Sequence, residues 1–329
     1  MRSILAATDL SACSRTAVQL AVALARRQHA PLVLVHAVES SPIDLPSVPI
    51  GVTAWEAELL AAAEIDLARQ AREIRLSGIA VETRVHLGSP SRLILEVAEQ
   101  VAAELIVVGT HGRKGAAHLF LGSVAEHVAR TSTSPVLVVR EGTSANARWE
   151  GREPFRLSVG VDGSAASDAA LAWAGRFAKP HERDLLVARV YSPRDESARY
   201  GLDEPWGESP RDADLLPLLE RELRREAGAL VGEVPSRLRF FAAGHDAADL
   251  LVRDEFIQRT DAFVVGVPRH RSGAAALSVG AILRRSPLPV FCIPETAAPT
   301  LRILPQVRSV LLATDLSDAA REIVRASGP

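Results

Sequence analysis

The sequence predicts an α/β protein made of two tandem five-stranded parallel-sheet domains, and three observations carry that prediction. The first is an internal repeat. ILAATDLSACSRTAVQLA opens the chain, LSVGVDGSAASDAALAWA follows around Asp162, and VLLATDLSDAAREIVRA follows around Asp315. Asp9, Asp162 and Asp315 stand at equal intervals of 153 residues. Each ends an apolar run and precedes Ser and an Ala-rich amphipathic stretch, a coincidence that chance does not supply three times at one period. The second observation is alternation of short β-branched runs with helical patterns, the order of a parallel sheet covered on both faces. The third is that LVLV and LIVV are continuously apolar, as strands buried on both faces require.

Taken in order, the first copy reads as strands at 3–8, 31–38, 81–86, 104–110 and 135–140. Between them, 12–28, 53–77, 91–103 and 123–131 carry apolar residues at helical spacing, as with Leu60, Leu67, Ala71 and Ile74, or Leu93, Val97 and Val101. Gly78 is the expected stop of the second helix. The second copy repeats the order, with strands at 155–161, 184–191, 237–242, 261–267 and 289–293 and helices at 165–178, 212–230, 246–258 and 276–285. The domain boundaries expected are therefore 1–140 and 154–296, joined by a polar linker at 141–153, with 307–329 as the stub of a third repeat. Two Pro-rich stretches, 40–50 and 192–217, follow the second strand of each copy. They read as surface loops, with lids over a site as the sharper alternative.

Composition narrows the function classes. Apolar residues make up 47% of the chain against 24% charged, so each copy has the material for a core. Lys plus Arg total 38 and Asp plus Glu 40, a net charge of −2 that gives no global field for nucleic acid or an anionic membrane. Two cysteines are too few for a disulfide framework and fit a reducing compartment. No apolar run reaches 18 residues, and Asp9 interrupts the N-terminus before a signal-peptide core could form. The expectation is a soluble cytoplasmic protein with neither nucleic acid nor membrane as partner.

The chemistry sits after the fourth strand of copy one, in GTHGRKGAAHLFLGSVAEHVAR. Its spacing, Gly109-x2-Gly112-x9-Gly122-Ser123, is neither a Walker A loop nor a dinucleotide fingerprint, because Gly115 precedes Ala116 where a P-loop needs Lys. The logic of an anion site survives. Gly109 ends a strand, and Gly112 lets backbone approach a ligand with no Cβ in the way. Gly122 and Ser123 open a helix whose first N–H groups can hold phosphate. Arg113 and Lys114 supply charge. The plain alternative is that these glycines shape a turn while Ser123 caps the helix.

Joined to the opening ATDLS and to IVVGTHG, this string resembles the universal stress protein family, closely over 1–140 and more loosely over 155–294. The terminal stub resembles a third beginning. The resemblance implies a HUP-like fold with strand order 3-2-1-4-5 and, in the nucleotide-binding branch, ATP, with or without Mg²⁺, held by the G-x2-G-x9-G-[S/T] string. Carried over by position, the adenosine end meets Ala7, Thr8, Asp9 and the Ala37 backbone. Ribose and phosphates meet Val108, Gly109, Gly112, Gly122, Ser123 and Val124. Strand order reverses at strand one, so a crevice is expected between the carboxyl ends of strands one and four. An ionised Asp9 repels phosphate and should face base or ribose, leaving the triphosphate toward Arg113, Lys114 and the helix start. The family also implies pairing through strand five, here PVLVV at 135–139 with PVFCI at 289–293, an intrachain pseudo-dimer that covers two apolar edges. Further homo-oligomerisation stays open.

The second copy keeps Asp162 and Gly266, but Arg269 replaces the glycine matching Gly112, Pro268 stiffens the turn, and Leu277 and Ser278 take the places of Gly122 and Ser123. One competent site and one site closed by Arg269 are expected. Elsewhere no G-x-S-x-G elbow, C-x-x-C or H-E-x-x-H occurs. His36 and Cys13 read as core residues, and His111, inside the glycine loop, as a phosphate contact or simply an exposed side chain. The function expected is an ATP-binding sensor or regulatory module rather than an enzyme, since no base to orient water and no acidic pair for Mg²⁺ is apparent. The alternatives are a nucleotide-free scaffold and, less favoured for want of an S-G-G-x-D-S-type loop, an adenine-nucleotide α-hydrolase-type enzyme.

Overall fold

The computed structural model describes residues 3–39, 54–111, 121–177, 183–202, 212–232, 235, 237–242, 247–269 and 278–297. Gly112, Arg113, Lys114, the 40–50 stretch and the third-repeat stub lie outside the described residues. Met1–Ala298 forms one compact unit.

The first repeat runs β1 (Ser3–Ala7), α1 (Ala12–Gln28), β2 (Leu32–Val38), α2 (Ala54–Leu76), β3 (Val81–Leu87), α3 (Pro90–Gln100), β4 (Ala103–Gly109), α4 (Ser123–Thr131) and β5 (Val136–Val139). The second runs β6 (Phe155–Val161), α5 (Ala165–Phe177), β7 (Arg183–Tyr191), α6 (Pro193–Tyr200), α7 (Asp212–Val231), β8 (Arg237–Ala242), α8 (Ala247–Arg253), α9 (Glu255–Gln258), β9 (Ala262–Val267), α10 (Val279–Arg285) and β10 (Val290–Pro294). The sheet order is β3-β2-β1-β4-β5-β10-β9-β6-β7-β8, so each repeat has the order 3-2-1-4-5 counted within itself. Every pairing is parallel except β5 with β10, where Val138 faces Val290 and Val136 faces Cys292 in an antiparallel register. The two five-stranded sheets are thus one ten-stranded sheet, and neither β5 nor β10 is left as an apolar edge.

Alternation along the strands feeds two apolar layers. Ile4 and Ala6 face the layer under α1, α2, α5 and α7, whereas Leu5 faces the layer under α3, α4, α8 and α10. The helices earn their positions by pattern: in α7, Leu215, Leu219, Leu223 and Ala227 recur every four residues and are all buried.

Three local readings are corrected. The helix expected over 91–103 ends at Gln100, because Ala102 takes a left-handed φ of 47° and Ala103 already belongs to β4. The helix expected over 246–258 breaks at Asp254, whose carboxylate accepts a bond from the Ile257 N–H at 3.1 Å and starts α9 anew. The Pro-rich stretch after β7 contains a helix, α6, with Pro193 in its first turn and Ser192 as its cap.

The linker is more than a polar tether. Trp149 is only 2% exposed and lies edge-on to Phe155 at 4.7 Å, within a cluster that includes Trp173, Phe177 and Phe291. Through Phe291, which pairs with Leu137, this cluster anchors the linker at the seam between repeats. Trp149→Ala is expected to lower stability by about 3–5 kcal/mol in urea unfolding, whereas Trp55→Ala, at a half-exposed site, should be close to neutral.

Candidate functional site

The reversal of strand order at β1 opens a crevice between the carboxyl ends of β1 and β4. Its floor is a tight turn. The Leu10 N–H donates to Thr8 Oγ1 at 3.0 Å and the Ser11 N–H donates to Asp9 Oδ1 at 3.1 Å. These bonds hold Leu10 at φ 66°, a conformation that costs a branched side chain energy and is rare outside sites with a use for it. Ser11 then caps α1 by accepting from the Ser14 N–H. Asp9 is therefore not the helix cap; it organises the turn from half-exposed ground at the crevice mouth.

Thr8 is buried and turned inward. Its N–H donates to the Val35 carbonyl at 2.9 Å, and its own carbonyl accepts from His36 Nδ1 at 2.6 Å. A carbonyl can only accept, so Nδ1 of His36 carries a proton. His36 is thus a buried brace between β2 and the turn. Ala7 and Ala37, both half-buried, lie beside it on adjoining strands.

On the other wall, Ala6 pairs with Val107, which puts Val108 and Gly109 at the mouth. Val108 sends its side chain into the core. The bare face of Gly109 meets protein: a Cβ there would lie 2.9 Å from Cys13 Sγ. Gly122 is similar, since its N–H donates to the Thr110 carbonyl at 2.6 Å and a Cβ would lie 3.0 Å from the same oxygen. These two glycines allow close protein packing, and that packing brings the start of α4 to the end of β4. Gly122 is the N-cap of α4 and makes no side-chain cap bond. Ser123, exposed, is its first residue, followed by half-buried Val124. No side chain caps the first-turn amides of α4, and Glu126 lies in that turn.

The second repeat repeats the turn and places a buried arginine beside it. Asp162 Oδ1 accepts from the Ser164 N–H at 3.0 Å around Gly163, at φ 79°. Arg189 stands where repeat one has His36, and its guanidinium lies 3.2 Å from where a Gly163 Cβ would be. It is buried, with Nη2 3.1 Å from Glu196 of α6 and Nη1 3.8 Å from Glu226 of α7. Arg199 binds Glu196 and Glu222, and the Tyr200 hydroxyl donates to Glu222 at 2.7 Å. Burial, with the Glu222 charge beside it, pushes the Glu226 carboxyl up. Burial also acts upward on Glu222, but bonds from Arg199 and Tyr200 outweigh it and hold that carboxyl below its ordinary value. Arg269, expected to block this crevice, is exposed, and its N–H donates to Glu295 at 3.2 Å. The side chain beside the Gly163 turn is Arg189, on the α5 and α7 face of the sheet. At the helix start the twins differ too. Ser278, expected in the role of Ser123, is instead the N-cap of α10, and its hydroxyl accepts from the Ala281 N–H at 3.3 Å.

A sequence model described as the universal stress protein family matches residues 1–140 and 155–294. The chain belongs to the universal stress protein family. It is 33% identical over 144 residues to universal stress protein MJ0531 of Methanocaldococcus jannaschii, covering 43% of this chain and 82% of that one. It is 27% identical over 284 residues to universal stress protein Rv2623 of Mycobacterium tuberculosis, covering 85% and 90%. The crystal structure of a universal stress protein from Archaeoglobus fulgidus superposes with a TM-score of 0.62 at 21% identity, over 89% of this chain and 98% of that one. The two matched segments correspond to the two five-stranded repeats of this universal stress protein.

Sequence reasoning missed Leu10 and Arg189, while Cys13 is the core residue it was expected to be. Cys13 sits under Gly109 and is within 3.7 Å of both the Thr110 hydroxyl and the Val139 carbonyl, which explains its burial at the helix start. Arg189 had a signal: a lone arginine within the apolar strand DLLVARVY, 153 residues after His36. The other cysteine, Cys292, is fully buried, and burial pushes its thiol up to about 12. Among the described residues no helix is long and apolar enough to cross a membrane, and no cluster of His, Cys, Asp or Glu is arranged to hold a metal.

The Gly109 packing has a direct test. Gly109→Ala should lower the unfolding midpoint markedly, and adding Cys13→Ala should restore most of the loss, because removing Sγ removes the nearest clash.

Proposed function

We propose that the first repeat of this universal stress protein binds an adenine nucleotide, with ATP as the ligand, and that the protein works as a cytoplasmic sensor or regulatory module rather than as a catalyst. The observation that carries this reading is the contrast between twins: an uncapped helix start and an open turn in one, a hydroxyl cap and a buried arginine in the other. Phosphates suit the first-turn amides of α4, following Gly122, Ser123 and Val124. The Asp9 carboxylate, which would repel phosphate, suits ribose hydroxyls or the donor edge of adenine. Val108 contributes through its backbone, Ala7 and Ala37 give a small, half-buried platform for the base, and His36 holds the Thr8 carbonyl in place. The antiparallel β5–β10 seam makes the two repeats an intrachain pseudo-dimer in this reading, with the second repeat as scaffold.

Titration calorimetry with ATP should return one site per chain. Asp9→Asn, which keeps the acceptor for the Ser11 N–H, should weaken binding about 10–100-fold, the range for a lost hydrogen bond to a charged group. Two equivalent sites, or an unchanged affinity in Asp9→Asn, would contradict the reading.

A further inference from the structure

A cavity of about 510 Å³ lies where the carboxyl ends of β4 and β5 meet the linker and the amino ends of β9 and β10. Its size falls within the range of small-ligand pockets. No part of the crevice described above includes it, yet the two share a wall. Thr110 and His111 line the cavity, and the same two residues are what Gly122, the cap of α4, packs against. The cavity is shared between the repeats, and the linker residues Glu141, Thr143, Ser144 and Asn146 build its rim.

Charge and polarity decide what it can take. Each charged group on its wall already faces a partner. Arg140 Nη2 donates to the carbonyls of Leu283 and Arg284, at 2.9 and 2.5 Å, at the negative end of α10. His111 Nε2 lies 3.3 Å from Glu141, and Asp261 accepts from the Arg156 N–H at 2.8 Å with Arg148 3.8 Å away. With two carboxylates on the wall and its cations engaged, the cavity has little to offer a bare phosphate. What remains is a hydroxyl- and amide-rich rim opposite an apolar side formed by Pro287 and Leu288, with buried Trp149 and Pro289 behind them. That combination suits an uncharged flat ring bearing polar edges and hydroxyls, which is the chemistry of a nucleoside.

We propose that the linker cavity is a second compartment of the nucleotide site, taking an uncharged nucleoside at the far end of a phosphate chain whose first nucleotide lies in the β1–β4 crevice. The ligand class is a dinucleoside polyphosphate. This rests on the nucleotide reading of the first repeat, and the experiment separates the two.

The full chain is titrated with ATP and with diadenosine tetraphosphate. The proposal expects the dinucleotide to bind at least about ten-fold more tightly, a difference of about 1.4 kcal/mol. Ser144→Trp, at an exposed rim position outside the crevice, fills the cavity and should abolish that preference while leaving the ATP affinity unchanged. Thr143→Trp should do the same and covers the case in which the first variant misfolds. ATP binding with no preference for the dinucleotide, or a preference that survives both variants, overturns the second compartment and leaves the nucleotide reading standing. Binding of neither ligand overturns both.

Discussion

A crevice formed where strand order reverses must hold something. If no ligand or water occupies it, the protein has to fill it with its own side chains at native packing density. The two repeats of this universal stress protein share strand order and turn, and they differ at the strand position beside that turn. In the first, the corresponding strand position is a histidine that folds back to brace the Thr8 carbonyl, while the small residues Ala7 and Ala37 face the opposite layer. In the second, the same position is Arg189, and a guanidinium with its carboxylate partners occupies the ground.

Burying a charge is expensive unless counter-charges come with it. The second repeat supplies them from two helices, Glu196 from α6 and Glu226 from α7, with Arg199 and Tyr200 fixing Glu222 alongside. This explains why a helix forms where the sequence is Pro-rich and polar. Pro193 suits a first turn, Ser192 caps it, and the helix is pinned through Glu196 to a buried partner. The buried Arg189 and α6 are thus one feature, joined through Glu196.

Much of this fold was legible because its signals are local and repeated. The 153-residue period, the continuous apolar runs and the four-residue spacing in the helices each reflect one burial rule, and α1, α4 and β6 match the expected boundaries to the residue. What was not legible depends on contacts between distant segments. The purpose of Gly109 cannot be read without Cys13 against it, nor that of Trp149 without Phe155 and Phe291 around it. The same holds for the buried arginine of repeat two. Aligning glycine loops pointed to Arg269, which is exposed, whereas the arginine beside the Gly163 turn comes from β7. The residues around Asp9 were found from motif; the hydrogen bonds that hold Leu10 in its strained turn needed coordinates.

The most direct test of a single nucleotide site, in the first repeat, is a crystal structure of the full chain soaked with ATP. The account predicts nucleotide density between β1 and β4, phosphates at the first turn of α4, and Arg189 still bound to Glu196. Nucleotide in the β6–β9 crevice, or a β1–β4 crevice that stays empty at saturating ATP, would contradict it.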